Sequence, residues 1–221
     1  ALGIAMRQSW GMTESPGATR GTPPPGAELW EPEALQAWVR SQQGRGFFPG
    51  GMRPGDEAGT RLPFGSDTPG HLEIRGPNVV GRYLGDTEGF EWLATGDIAK
   101  IAADGSLEIV DRSKDVIKSG GEWISTLQLE SAAMSFPGVH QAAAISIPHP
   151  RWQERPMLLC TVVDAAQPLD VAALLAHMGA RLAKWWLPDE VRVIEAMPAT
   201  TTGKIDKVAL RRRYGQARAS A

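Results

Sequence analysis

Apolar and polar positions alternate in short runs between residues 70 and 110. Residues 71–75 show this pattern, and so do residues 107–110, which follow Asp104-Gly105. Alternation with a period of two is typical of half-buried strands, and Asp-Gly between two such runs is typical of a hairpin. We therefore expect a small antiparallel β unit over residues 70–110. Its strands are expected at residues 71–75, 78–83, 92–101 and 107–110.

Beyond residue 121, apolar stripes at helical spacing alternate with short apolar runs. Ser125 and Gln128 form a capping-box pattern before one stripe, and Asp170 precedes another. The sequence predicts helices at residues 125–136, 170–185 and 206–214, and strands at 139–147, 157–163 and 190–194. Such alternation predicts a separate, compact α+β domain.

The segment between residues 22 and 70 is rich in Pro and Gly. Apolar spacing predicts a short helix at residues 29–42, and residues 44–59 are expected to form a loop or an irregular β-hairpin. Neither the Walker nor the Rossmann glycine pattern occurs there, so this segment gives no sign of a phosphate-binding glycine loop.

The segment at residues 111–125 lies between the two patterned regions. Charged residues fill its first half, and Gly120-Gly121 follows. A solvated hairpin between two strands explains this composition, and so does a connector that presents charged groups to an anion. We place the domain boundary here, giving domains at residues 1–111 and 112–221. The predicted fold class is α+β, with the small antiparallel β unit joined by a hinge to the compact second domain.

Composition narrows the function classes. A net charge of −2 gives no general attraction to nucleic acid. Cys160 is the only cysteine, which excludes an internal disulfide and favours a reducing compartment, so we expect a cytoplasmic protein with a buried, inert thiol. No apolar run reaches the roughly 20 residues that a transmembrane helix needs. The four histidines are scattered without the spacing of a metal site.

Four segments resemble, in this order, the last four signature motifs of the acyl-adenylate-forming (AMP-binding) superfamily, which includes the acyl-CoA synthetases. They lie at residues 10–14, 95–97, 111–125 and 198–207. Residues 118–125, Arg155-Pro156 and residues 184–189 are similar to medium- and long-chain fatty-acyl-CoA ligases, including bacterial medium-chain and methylmercaptopropionate ligases. The resemblance covers nearly the whole chain but only the C-terminal portion of the family's length. It implies that residues 1–111 are the last part of a large AMP-binding domain and that residues 112–221 are a small mobile domain.

The resemblance also implies a two-step reaction. A carboxylic acid, expected to be a medium- or long-chain fatty acid, reacts with ATP to give acyl-AMP and pyrophosphate, and CoA then forms the thioester and releases AMP. Thr13 would hold a phosphate and Glu14 a Mg²⁺ ion, for which oxygen ligands are suited. The residues bordering the adenine would be Gln8, Ser9, Trp10 and Gly11.

The remaining implied roles divide between the two steps. Asp97 would accept from the ribose hydroxyls and Arg112 would contact the ribose or phosphate side. Lys204 would be the catalytic lysine of the first step, stabilising charge on the α-phosphate and the attacking carboxylate. Lys114 would be the pivot of the small domain. In the second step the pantetheine chain would pass Gly120 and Gly121, and Lys118 would contact substrate or a CoA phosphate, although a solvated lysine explains that position equally well.

Several interpretations remain open at this point. The chain starts without Met, which suggests a piece of an ATP-dependent acyl-CoA ligase that lacks its N-terminal region and is incomplete for catalysis alone. A processed or tagged small protein is the other interpretation of that start. A binding module derived from such a ligase, and no longer catalytic, is the alternative function. Nucleic-acid binding through the basic residues near the C-terminus is a third, opposed by the net charge.

Overall fold

Two compact units make up the chain, Ala1–Ser113 and Lys114–Ala221. The computed structural model describes residues 7–46 and 50–215. Helices are combined with small antiparallel sheets, which confirms the predicted α+β class. No helix within these described ranges has the length and apolar character needed to cross a bilayer.

The first unit consists mainly of strands. In chain order it contains β1 (Thr19–Arg20), a 3₁₀ turn (Ala27–Leu29), α1 (Pro32–Ser41), β2 (Arg45–Gly46), β3 (Gly51–Gly55), β4 (Gly70–Arg75), β5 (Leu93–Ile101) and β6 (Leu107–Arg112). Strands β3 to β6 form an antiparallel sheet in sequence order, and β1 pairs with β2. Its core comprises Leu72, Ile74, Leu93, Ala99, Ile101 and Leu107. The sheet thus contains three of the four predicted strands and adds β3.

Residues 78–83 form no strand, so that prediction was wrong. Val79 N donates to Gly76 O at 3.1 Å, and Phe90 N donates to Gly81 O at 2.7 Å. The glycines and prolines near these residues favour turns over extended pairing. The region between β4 and β5 is therefore a chain of turns.

The first helix also begins later than predicted. Pro32 occupies its first turn, a position that suits proline because the missing N–H has no helical partner there. Trp30 and Glu31 have extended ψ angles of 148° and 145°, so the 3₁₀ turn at Ala27–Leu29 and α1 remain separate elements.

The second unit alternates strands and helices. It contains β7 (Ile117–Ser119), β8 (Glu122–Ile124), α2 (Thr126–Met134), β9 (Val139–His149), β10 (Gln153–Val162), α3 (Val171–Gly179), a 3₁₀ turn (Lys184–Trp186), β11 (Glu190–Val193) and α4 (Lys207–Tyr214). Strand β10 pairs with β9 along its length, with β11 in parallel, and with β7 at Gln153. The sheet thus centres on β10.

Both faces of the β9–β10 pair are covered, which explains the uninterrupted apolar runs at residues 142–145 and 156–160 within these strands. Alternate residues face opposite sides of a sheet. One set, including Ala142, Leu158 and Cys160, packs in a core with residues of α2 and α3. The other set packs in a second core with Leu210 of α4, and comprises Ala143, Ile145, Met157 and Leu159.

Helix α3 ends at Gly179, six residues before the predicted end at Trp185. The segment that follows is held by Arg155 of β10. Its guanidinium donates to Trp185 O at 2.7 Å and Leu187 O at 2.9 Å, and it forms an ion pair with Asp189 at 2.7 Å. These contacts fix a 3₁₀ turn where apolar spacing alone predicted more helix.

Candidate functional site

Asp97 on β5 is the centre of a polar cluster in the first unit. Trp10 Nε1 donates to Asp97 Oδ2 at 2.9 Å, and Arg112 Nε lies 3.0 Å from Oδ1. Asp97 and Arg112 are register partners in the β5–β6 pair, so their side chains lie on the same face of the sheet. Three predicted site residues, distant in sequence, therefore meet at one carboxylate.

The Asp97 carboxylate is nearly inaccessible, with 3% of its side chain exposed. Burial raises the pKa of Asp97, while Arg112 and Trp10 oppose the rise. Arg112 is 52% exposed, so solvent screens its attraction and the desolvation effect is larger. The Asp97 carboxylate is thus a buried hydrogen-bond acceptor, and additional hydrogen-bond donors would stabilise its charged form.

Thr13 and Glu14 occupy the tip of a tight turn. Met12 and Ser15 exchange backbone hydrogen bonds of 3.1 and 3.0 Å across them. Tyr83 Oη donates to Glu14 Oε1 at 3.0 Å, and Val80 N donates to Glu14 O at 2.9 Å. The turn is therefore held by the segment between β4 and β5, and its hydroxyl and carboxylate are presented at the surface.

This donor set fits a Mg²⁺ ion held jointly with phosphate oxygens. Mg²⁺ commonly takes one or two protein carboxylates, with phosphates and water completing its shell. Glu14 supplies one carboxylate and Thr13 a neighbouring hydroxyl. In the described parts of the chain, no group of three or more His, Cys, Asp or Glu side chains forms a metal site of protein ligands alone.

The other predicted adenine-side residues have different environments. Gln8 Nε2 donates to Arg40 O at 3.1 Å, and its Oε1 accepts from Gln43 at 2.8 Å. Ser9 is exposed. A Cβ on Gly11 would lie 2.6 Å from Gly17 N, so this glycine has a packing reason that needs no ligand.

Lys204 lies on a closed loop of the second unit, between β11 and α4. Thr200 N donates to Lys204 O at 2.7 Å, and Asp206 N donates to Pro198 O at 2.8 Å. The side chain of Lys204 is exposed. Within the described ranges its ammonium group meets no hydrogen-bonding or ion-pair partner. The loop thus presents a solvated cation on a small, internally bonded support.

Gly120 and Gly121 form the two-residue turn of the β7–β8 hairpin. Their φ angles are 61° and 86°, as a type I′ turn requires. A Cβ on Gly120 would lie 2.8 Å from Cε3 of Trp152, whereas a Cβ on Gly121 would meet nothing within 4 Å. Gly120 N also donates to Trp152 O at 3.0 Å. Residues 117–124 therefore form a hairpin, one of the two interpretations of this segment. Gly120 also packs against Trp152.

The two remaining lysines of this segment lie at the surface. Lys114 is the first residue of the second unit and is exposed. Lys118 on β7 extends its ammonium over Trp123, 5.7 Å from the ring centroid, and its backbone N donates to Glu154 at 3.0 Å. The Trp123 contact gives Lys118 a structural role that sequence alone did not reveal.

Two basic residues of α4 pair with acidic groups. Lys207 lies 2.6 Å from Glu130, and Arg211 lies 2.9 Å from Asp115.

Cys160 is fully buried, and burial raises its pKa to about 11. The inert thiol expected from the sequence agrees with this environment.

The chain is similar to known proteins along nearly all of its length. Residues 128–204 match the family model described as the AMP-binding enzyme C-terminal domain. The 3-methylmercaptopropionyl-CoA ligase of Ruegeria pomeroyi is 41% identical, over 96% of this chain and 40% of that protein. A medium-chain-fatty-acid–CoA ligase of Ectopseudomonas oleovorans is 38% identical over the same shares, 96% and 40%. Residues 128–204 belong to the AMP-binding enzyme C-terminal domain family.

Solved structures of two other enzymes are similar to the chain over nearly all of its length. The o-succinylbenzoate CoA synthetase of Bacillus subtilis, in complex with its acyl-adenylate intermediate, has a TM-score of 0.76 at 25% identity, over 96% of this chain and 41% of that one. ATP-bound MatB from Rhodopseudomonas palustris has a TM-score of 0.72 at 29% identity, over 93% and 40%. The chain thus spans about 40% of the length of the curated relatives named above.

Three residues with structural links to the candidate site were missed by sequence reasoning. Tyr83 contacts Glu14 from 69 positions away, and Glu130 contacts Lys207 across 77 positions. Arg155 was noted only as part of a family-like dipeptide. No local spacing signals such contacts, because they depend on how distant segments meet in the fold.

Proposed function

We propose that the protein takes part in ATP-dependent ligation of a carboxylic acid to CoA through an acyl-AMP intermediate. A medium- or long-chain fatty acid is the proposed acid, with ATP, Mg²⁺ and CoA as the other reactants. Relatives named for fatty-acid and 3-methylmercaptopropionyl-CoA ligation support this proposal. The observation that carries it is Lys204, an exposed ammonium group on an internally bonded loop inside the segment that matches the family.

The proposed first step forms a bond between a carboxylate oxygen of the acid and the α-phosphorus of ATP. The bond to the bridging oxygen breaks, and pyrophosphate leaves. Lys204 would stabilise the negative charge that is shared by the entering carboxylate and the α-phosphate. In this role it would supply a positioned cation rather than a proton.

Other residues of the chain would bind the nucleotide. Asp97 would accept from the ribose hydroxyls, which would return hydrogen bonds to a carboxylate that burial has desolvated. Arg112 would orient Asp97 and contact the ribose or phosphate side. Thr13 and Glu14 would hold a phosphate and the Mg²⁺ ion, which when bound neutralises phosphate charge.

In the proposed second step the thiol sulfur of CoA attacks the acyl carbon, and the bond from that carbon to the AMP oxygen breaks. AMP leaves with the oxygen that came from the acid. Residues 112–221 would form a small mobile domain that turns about Lys114 between the steps. Residues 1–111 would be the last part of a large AMP-binding domain. Gly120 and Gly121 would lie along the pantetheine chain, and Lys118 would contact substrate or a CoA phosphate.

The test separates the two steps in protein expressed from its complete reading frame. Lys204→Ala should lower fatty-acid-dependent ATP–pyrophosphate exchange by about 100-fold or more, because a positioned charge at the transition state is removed. Thioester formation from supplied acyl-AMP should remain near the unsubstituted rate. Lys184→Ala removes another exposed lysine of the second unit and serves as the control.

Equal loss of both steps in Lys204→Ala would contradict the assigned role. Absence of both activities from the unsubstituted protein would favour the other function weighed from sequence, a non-catalytic binding module derived from such a ligase. Binding of ATP without exchange would distinguish that module from an unfolded protein.

A further inference from the structure

A buried ion pair lies where α4 begins. Lys207 Nζ lies 2.6 Å from Glu130 Oε1 and donates to Thr126 Oγ1 at 2.7 Å. The two charged side chains are 14% and 11% exposed, and Thr126 is fully buried. Glu130 Oε1 also accepts from Ala144 N of β9 at 2.9 Å. Lys207 of α4 is thus bonded to α2, and Glu130 of α2 is bonded in turn to β9.

Lys207 lies three positions after Lys204, at the base of the loop that carries it. Asp206 closes this loop by donating from its N to Pro198 O, and its Oδ1 accepts from Ala209 N at 3.0 Å as the cap of α4. Asp206 therefore links the two elements, because its backbone N–H bonds to the loop and its carboxylate bonds to α4. A displacement of the first turn of α4 would therefore be transmitted to the loop that carries Lys204.

A second ion pair holds the same face of α4. Arg211 lies 2.9 Å from Asp115, and residues at positions i and i+4 share a helix face. Asp115 directly follows Lys114. The two pairs thus hold α4 at its first and second turns.

We propose that Lys207 and Glu130 are positioning residues that set where Lys204 lies for adenylate formation. This inference rests on the proposed function of Lys204. A buried, doubly bonded ammonium group restrains the loop base far better than an exposed surface pair, which contributes little and samples many rotamers. A misplacement of about 1 Å in a catalytic group can cost about 100-fold in rate. Loss of the pair should therefore affect the step that uses Lys204 much more than the other step.

The main test measures both steps on the same sample. The unsubstituted protein is compared with Lys207→Gln, Glu130→Gln and Lys207→Arg, and each variant is characterised by its rate of ATP–pyrophosphate exchange divided by its rate of thioester formation from supplied acyl-AMP. This ratio cancels any unfolded fraction. The ratio should fall about tenfold or more in both Gln variants and recover in Lys207→Arg. Arg212→Gln removes one charge from an exposed position of the same helix and should leave the ratio unchanged.

A second measurement does not depend on activity. Limited trypsin cleavage after Lys204 should be about tenfold faster in Glu130→Gln than in the unsubstituted protein, because a released loop enters the protease more readily. An unchanged ratio with unchanged cleavage would overturn the inference. If the unsubstituted protein performs neither step, the proposed function fails and the catalytic inference fails with it, and faster cleavage would then leave the pair with a structural role alone.

Discussion

Replacing Gly120 by alanine should place a methyl group against the indole of Trp152. The built Cβ lies 2.8 Å from Cε3 and 3.2 Å from Cζ3 of that ring, closer than carbon atoms approach without a shift. Gly121 is a matched control. Its φ of 86° is also left-handed, yet its Cβ would meet nothing within 4 Å. The pair of variants separates backbone strain from the ring contact.

The two contributions have different magnitudes. A left-handed backbone costs an L-residue about 1–2 kcal/mol, which is the full effect expected for Gly121→Ala. Forcing an extra carbon into a packed contact adds about 1–3 kcal/mol, so Gly120→Ala should lose about 2–5 kcal/mol of unfolding free energy. Trp152 is 39% exposed, so its ring has some freedom to move, and the lower part of that range is favoured.

Urea unfolding, followed by fluorescence and by hydrogen exchange of the β7–β10 amides, measures both losses. The double variant Gly120→Ala with Trp152→Ala completes a cycle whose coupling isolates the ring contact. Removing the indole should reduce the cost of Gly120→Ala to that of Gly121→Ala. Equal losses for the two single variants, with no coupling to Trp152, would refute the steric reasoning.

Two further predictions concern single titratable groups. Because burial raises the pKa of Asp97 above its ordinary value of 3.8, its contribution to stability is fully present below that value and is lost as pH rises through the raised pKa. The unfolding free energies of the unsubstituted protein and of Asp97→Asn would therefore be compared between about pH 3 and pH 7. The difference should shift in favour of the variant as pH rises. The opposite trend would show that the attraction to Arg112 outweighs the desolvation of Asp97. Cys160, with its pKa raised to about 11, should react with a disulfide reagent at about pH 8 at least about 100-fold more slowly in the native than in the unfolded chain. Comparable rates in the two states would contradict the buried position.

The sequence predicted best those elements whose apolar pattern matches their burial in the fold or whose capping residues act locally. The central parts of β9 and β10 are continuous apolar runs because cores lie on both of their faces. Ser125 and Asp170 cap α2 and α3 as their positions indicated, with their side chains accepting from Gln128 N and Ala173 N. In these places local chemistry and tertiary packing agree.

Prediction failed where distant contacts decide local structure. Residues 78–83 carry apolar side chains in a segment whose glycines favour turns and whose backbone bonds to Glu14. Beyond Gly179, Arg155 of β10 donates to the carbonyl groups of Trp185 and Leu187 and holds a 3₁₀ turn there. Neither interaction leaves a periodic signal.

The candidate site divides in the same way. Family-like motifs identified Trp10, Asp97 and Arg112, and register in the β5–β6 pair explains why two of them meet. The supports of the site, such as Tyr83 and Glu130, emerged only from the folded chain. Motifs thus indicate the groups proposed for chemistry, while the fold shows what holds them.

Transfer of oxygen from the acid to AMP tests the central claim most directly. A fatty acid labelled with ¹⁸O at both carboxylate oxygens would be incubated with ATP, Mg²⁺, CoA and protein expressed from the complete reading frame, and the products analysed by mass spectrometry. If the carboxylate attacks the α-phosphorus, each thioester formed is accompanied by one AMP that carries one ¹⁸O atom, and by unlabelled pyrophosphate. Label in inorganic phosphate together with ADP, or AMP without label, would contradict the acyl-AMP intermediate.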